Sequence, residues 1–270
     1  MTRVEIIRPG ETVALDPAEA AFAHGYGLFE TMRIEASKLY FWEAHWRRLS
    51  ASSRALDISL DIDEDSVLSA IRQLVADADP AGCHTLKLSV LKAGAAARIL
   101  VYLRPIMNRP DSVGLLLDDV SRINERALSA GHKTHNYMEN RLLMERAKGA
   151  GCYDVLRLNS CGHIAEGAIS NLFWETDGRL YTPAEETGLL PGVIRSVLID
   201  ALDVREGLFG RSDLLCADAI YLTNSSLGVK RVEWVLEKGR KISFSEGSAM
   251  LYGQLVSMLE QAAQAGVKRL

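Results

Sequence analysis

Between Tyr153 and Pro183 the chain turns twice in quick succession, and these turns constrain the fold more than any other feature. "YDVLRLN", "SCG" and "HIAEG" read as strand, turn and strand, and "SNLFWET", "DG" and "RLYTP" repeat the plan. Turn residues of this kind tolerate the positive φ angles that tight hairpins need. Two consecutive hairpins are therefore expected. Upstream, "YGLFETMRIEASKLYFW" (26–42) alternates apolar and polar residues on both sides of the turn "EASK". The period then lengthens: His45, Trp46, Leu49 and Ser53, and later Val67, Leu68, Ile71, Leu74 and Val75, recur at helical spacing.

"TLKLSVL" (85–91) and "RILVYL" (98–103) return to strands, with "KAGAAA" read as the loop that joins them. Strands and helices are grouped rather than strictly alternating, which predicts an α+β chain. A small α+β domain is expected over 1–105. A linker is expected at 106–110, because "RPIMNRPDS" carries two of the seven prolines. A larger, mixed domain is expected over 111–270. It opens with "GLLLDDV" and continues with a helix over 136–150, the two hairpins, a helix over 193–202 and the strand "AIYLTN". "LEQAAQAGVKRL" is expected to form a terminal helix.

With 270 residues and 48% hydrophobic content, the chain can bury a substantial core. Its net charge is −4 and no Lys/Arg block stands out, so neither nucleic acid nor membrane is expected as a partner. Cys83, Cys152, Cys161 and Cys216 form no CxxC pair, which argues against a metal site and for ordinary reduced thiols. No apolar run approaches a membrane span of about twenty residues, and "MTRVEIIRPGET" lacks a signal-like hydrophobic stretch. A cytoplasmic protein is expected.

The chemistry-bearing residues start with Lys133 in "GHKTHNYMENRL", read as standing at a helix entrance, where the helix dipole would lower an amine's pKa. Tyr137 follows four residues later, and Glu166 lies in the second strand of the first hairpin. An amine, a phenol and a carboxylate are the groups needed to hold pyridoxal phosphate by its aldehyde, its phenolate oxygen and its ring nitrogen. A phosphate needs N–H groups and a positive side chain. "LLPGVIRSVLID" and "TNSSLG" offer amides and hydroxyls, and "HWRRL" offers arginine.

Taken in order, "YGLFETMRI", "HWRRL", "KTHNYMENRLLMERAKGAG", "AEGAISNLFW", "YTP…TGLLPGVIR" and "YLTNSSLG" resemble the class IV, fold-type IV pyridoxal-phosphate enzymes. That family includes branched-chain and D-amino acid aminotransferases and 4-amino-4-deoxychorismate lyase. The resemblance implies that Lys133 forms the Schiff base, Glu166 partners the pyridine nitrogen and Tyr137 donates near O3′. It also implies that Arg48, rather than Arg47, binds the phosphate, with Val193 and Ile194 giving backbone amides and Asn224 and Ser225 completing the shell. A homodimer acting on a small amine or amino acid is implied as well.

"TNSSLG" and "GLFETMRI" resemble the lyases more than the aminotransferases, so release of pyruvate and p-aminobenzoate from 4-amino-4-deoxychorismate is the expected reaction. The alternatives are an aminotransferase for D-amino acids or branched-chain L-amino acids and, less favoured, a non-catalytic binding module. In "FAHGYG", His24 takes the place of the family's usual tyrosine, and the "KAGAAA" loop is short. Substrate contacts are therefore sought among His24, Thr31, Arg33, Lys92 and Arg98.

Overall fold

The computed structural model describes residues 2–79, 81–106, 110, 112–244 and 247–270. The chain divides into two compact units. The first comprises Met1–Asn108, His132–Tyr137 and Ala263–Leu270, and the second Arg109–Gly131 and Met138–Ala262. A cut by chain order would assign 132–137 and 263–270 to the second. The expected linker at 106–110 lies mostly outside the described residues.

The first unit contains β1 (Arg3–Ile7), α1 (Ala20–His24), β2 (Gly27–Glu35), β3 (Lys38–Tyr40), α2 (Trp42–Ala55), α3 (Glu64–Asp77), β4 (Cys83–Ala93) and β5 (Ala96–Pro105). The second contains β6 (Ser112–Ile123), α4 (Met138–Gly149), β7 (Asp154–Asn159), β8 (Ile164–Gly167), β9 (Asn171–Thr176) and β10 (Arg179–Pro183). It continues through α5 (Val193–Ala201), β11 (Val204–Gly207), α6 (Arg211–Leu215), β12 (Ala219–Asn224), β13 (Gly228–Glu237), β14 (Arg240–Ser243) and α7 (Ala249–Ala265). The last strand, β15 (Val267–Arg269), returns to the first unit.

The first unit's sheet has the order β1-β5-β4-β2-β3-β15. Its alternation sends Leu28, Met32, Ile34, Leu86, Leu88, Val90, Ile99 and Val101 to one face, where they join Trp42 and Leu49 of α2 and Val67, Leu68, Ile71 and Leu74 of α3 in one core. Truncating any of these leucines or isoleucines to alanine costs about 2–5 kcal/mol. Asp63 starts α3 by accepting the Ser66 N–H at 2.8 Å. Trp42 is fully buried, and its indole N–H is satisfied by Glu64 at 2.5 Å.

The hairpin of β2 and β3 turns through Ala36 and Ser37, both with positive φ, inside the expected "EASK". "KAGAAA", expected as a loop, is mostly strand. The ladder runs on through Ala93↔Ala96 and leaves only Gly94 and Ala95 to turn, because pairing between the strands overrides alanine's weak strand preference.

The second unit is built on a sheet ordered β11-β10-β9-β12-β13-β6-β7-β8, with β14 added to β13. Both expected hairpins are present, β7 with β8 and β9 with β10. Asp177 and Gly178 have φ of 51° and 71°, as a two-residue primed turn requires. The C-terminal stretch is helical only to Ala265, after which Val267–Arg269 pair with β3.

Helix α4 begins at Met138, so Lys133 lies ahead of its first turn and outside the reach of its dipole. The helix-entrance argument for Lys133 therefore fails. The segment instead extends the first unit's sheet. Phe29 N–H donates to Lys133 O at 3.0 Å, and His135 N–H donates to Gly27 O at 2.9 Å. No helix among the described residues is long and apolar enough to cross a membrane, and no cluster of three or more metal-ligating side chains occurs among them.

Candidate active site

The pairing of 133–135 with β2 decides where Lys133 points. Because Phe29 shares a backbone hydrogen bond with Lys133, the two side chains lie on the sheet face opposite the helices. Lys133 Nζ stands 4.5 Å from the centre of the Phe29 ring and 5.5 Å from that of Tyr137, which meets Phe29 edge-on at 5.2 Å. Gly27 is required here, since a Cβ would lie 2.7 Å from Val90 O and 2.9 Å from the His135 ring. His132 Nδ1 sits 2.9 Å from Ser52 Oγ, tying the segment to α2.

A second lysine shares that face. Lys87 Nζ lies 4.2 Å from the Phe29 ring centre and donates to Thr31 Oγ1 at 2.7 Å. Burial pushes the Lys87 amine down to about 7, with the charges of Lys133 and Arg104 adding to the effect and Glu30 opposing it. His135 is likewise held below the usual imidazole range by burial and by Lys87, and its buried Nε2 meets no hydrogen-bond partner among the described residues.

Arg48 meets Glu30 on the core face. Its Nε and Nη2 donate to the two carboxylate oxygens at 2.9 and 2.6 Å, and His45 Nδ1 lies 2.7 Å from the same group. Burial by itself would raise the Glu30 pKa, but Arg48 and His45 reverse that and hold it well below the carboxylate range. Burial keeps His45 neutral, and its Nδ1–H then donates to the carboxylate. Arg47 is exposed.

In the second unit, Glu166 Oε2 accepts the Leu190 N–H at 3.0 Å, with Asn171 Nδ2 at 3.4 Å. The same Asn171 amide donates to Leu190 O at 2.9 Å. Gly192, the residue before α5, admits no side chain because a Cβ would fall on Asn171 Oδ1. Among the described residues no side chain caps this helix, so the amides of Val193 and Ile194 keep the anion-attracting character of an open N-terminus. The Asn224 side chain is turned onto its own loop. Its Oδ1 accepts from Ser226 N and Leu227 N at 3.0 and 2.7 Å, and its Nδ2 donates to Ile169 O at 3.3 Å. It shapes the turn that carries Ser225.

The substrate candidates separate. Thr31 shares the Lys133 face through Lys87. Arg33 is paired with Glu35 and lies over the Tyr40 ring. Lys92 is committed to Asp57 O at 2.6 Å and to the Tyr26 ring. The guanidinium of Arg98 is engaged by Glu5 through two 2.9 Å bonds and by Ala14 O at 3.0 Å, which fastens the N-terminal strand to β5. His24 is exposed at the end of α1.

Lys87 and Glu30 were missed from sequence, although both left a signal. Lys87 is polar in phase with Thr85 and Ser89 across the "TLKLSVL" alternation. Glu30 falls in phase with Leu28 and Met32 on the apolar face, where a carboxylate requires a buried partner.

Residues 27–234 match the model of the family described as amino-transferase class IV. The chain is 27% identical over 252 residues to an aminodeoxychorismate lyase of Vibrio harveyi, which covers 85% of this chain and 90% of that one. It is 25% identical over 234 residues to the aminodeoxychorismate lyase of Bacillus subtilis, covering 80% and 79%. Among solved structures, a Legionella pneumophila protein described as a 4-amino-4-deoxychorismate lyase superposes with a TM-score of 0.86 at 27% identity, over 96% of this chain and 99% of that one.

Proposed function

The chain belongs to the class IV aminotransferase family, with the fold-type IV architecture and pyridoxal phosphate as cofactor, and from that premise we propose that it is a 4-amino-4-deoxychorismate lyase. The observation that carries this reading is the near full-length likeness to aminodeoxychorismate lyases.

The residue types present are those that the cofactor's groups call for. Lys133 supplies the amine that holds its aldehyde, Glu166 the carboxylate for its ring nitrogen and Tyr137 the phenol near its O3′. Ser225 and the amides at Val193 and Ile194 receive its phosphate, with Asn224 acting through the turn it closes, and the part given to Arg48 rests on the family resemblance, because Glu30 holds its Nε and Nη2. When bound, pyridoxal phosphate supplies an electron sink for the carbon that carries the substrate amine.

Lys133, once the substrate amine has displaced it, takes the proton from that carbon. Glu166 is held in orientation by the Leu190 N–H, which donates to one of its oxygens. The proton leaves the carbon, the ether C–O bond breaks, and the enolpyruvyl group departs as enolpyruvate, which takes up a proton at its methylene carbon to become pyruvate, while the ring becomes p-aminobenzoate. Substrate and products balance without a co-substrate. As parts of the same proposal, the enzyme acts in folate biosynthesis as a cytoplasmic homodimer.

The test is the reaction of the loaded enzyme with 4-amino-4-deoxychorismate in the absence of any keto acid. Equimolar pyruvate and p-aminobenzoate are expected. No aromatic product, together with amino transfer from D-alanine or L-leucine to a keto acid, would make the chain an aminotransferase instead.

A further inference from the structure

Asp154 opens β7 and is fully buried, yet the donors that meet it are all neutral. Its Oδ1 accepts from Val155 N at 2.7 Å and Ala168 N at 2.8 Å, and its Oδ2 from Ile169 N at 3.3 Å and Ser170 Oγ at 2.5 Å. Three of these donors belong to the turn 167–170, which separates Glu166 from Asn171. The rest of the turn is equally bound. Gly167 N–H donates to Ser170 O at 2.7 Å, Asn140 Nδ2 to Ala168 O at 2.6 Å and Asn224 Nδ2 to Ile169 O at 3.3 Å. A Cβ on Gly167 would collide with Asp154 Oδ2, so the carboxylate lies directly against the backbone.

Four converging donors call for a group that only accepts, which a carboxylate is and an amide is not. Burial pushes the Asp154 pKa up to about 6 against the pull of these donors, so the fold keeps a charge that an apolar residue would spare it. A residue retained at that cost serves geometry.

We propose that Asp154 is the positioning residue for Glu166: by gathering the amides of 168 and 169 and the Ser170 hydroxyl, it sets the turn that places Glu166 and Asn171 side by side. The inference rests on the proposed role of Glu166 toward the cofactor's ring nitrogen.

The test is a double-mutant cycle on the holoenzyme with Asp154→Asn and Glu166→Gln, together with amide hydrogen exchange of the cofactor-free protein. Asp154→Asn should lower kcat by about 10–100-fold with KM nearly constant. Exchange over 164–172 should rise about tenfold or more while α2 is unchanged. In the Glu166→Gln background the same substitution should cost less than about threefold, since it then has nothing left to orient. Independent losses that multiply, or unchanged exchange over 164–172, would overturn the proposal. A fully active Glu166→Gln would instead overturn the reading of Glu166 itself. If Asp154→Asn fails to accumulate, Ser170→Ala removes one donor and leaves the carboxylate. The same cycle then applies: a loss that vanishes in the Glu166→Gln background supports the proposal, and losses that multiply overturn it.

Discussion

Lys133 and Lys87 present their ammonium groups to the same aromatic ring, at 4.5 and 4.2 Å from the centre of Phe29. One reaches the ring from a segment added at the sheet edge, the other from the neighbouring strand. Their closeness makes each charge cost more in the presence of the other, and it sets the two lysines apart from an ordinary solvated lysine.

The first prediction follows from the sign of that effect. The Lys87 amine titrates near 7 in the folded protein and near its ordinary 10.5 when unfolded. Between those values the unfolded chain binds more protons, so this group makes stability rise with pH through that window. Lys87→Met should flatten the rise, and it should stabilise the protein most below pH 7, where the buried charge is fully present. Urea unfolding of both proteins from about pH 6 to about pH 10 measures the difference. Parallel curves would contradict the assignment.

Buried Glu30 pairs with half-buried Arg48 in the first unit. Glu30→Gln leaves the guanidinium uncompensated and should destabilise the protein by about 3–5 kcal/mol. Arg48→Ala should also weaken cofactor binding, read by fluorescence titration with pyridoxal phosphate. An unchanged urea midpoint for Glu30→Gln, or unchanged affinity for Arg48→Ala, would contradict these roles.

Gly192→Ala places a methyl group where the Asn171 amide oxygen now sits. Asn171 must then give up Leu190 O and its approach to Glu166. Overpacking of this kind costs about 1–3 kcal/mol, and cofactor affinity should fall with it. Gly149→Ala, at a position with nothing nearby, is the comparison for volume alone. Equal cofactor affinities in the two variants would show that the Asn171 contact is dispensable.

Much of this is legible in the sequence because it is written in local signals. Asp177-Gly178 turns as its residue types require, and Val67, Leu68, Ile71 and Leu74 reach the core that their spacing promises. What escapes depends on pairing across distance. Lys133 resembles a helix-entrance residue because "NYMENRL" is helical in pattern, whereas its position comes from bonds to Gly27 and Phe29, far away in the chain. Arg98 resembles a strand-end cation free to bind an anion. Only the parallel pairing of β1 with β5 brings Glu5 to it. Asp154 carries no motif at all, since its meaning lies in three donors from a turn more than about ten residues downstream, beyond the reach of local pattern.

Lys133, rather than its neighbour Lys87, is the residue proposed to carry the cofactor, and the whole reading of the site turns on it. Reduction of the loaded enzyme with borohydride fixes pyridoxal phosphate to whichever amine holds it, and mass mapping of the proteolytic peptides names the residue. The expected result is a single label on Lys133, in the peptide leading into "THNYMENR", retained in full in Lys87→Met. A label on Lys87, or on any other lysine with Lys133 unmodified, would contradict the account.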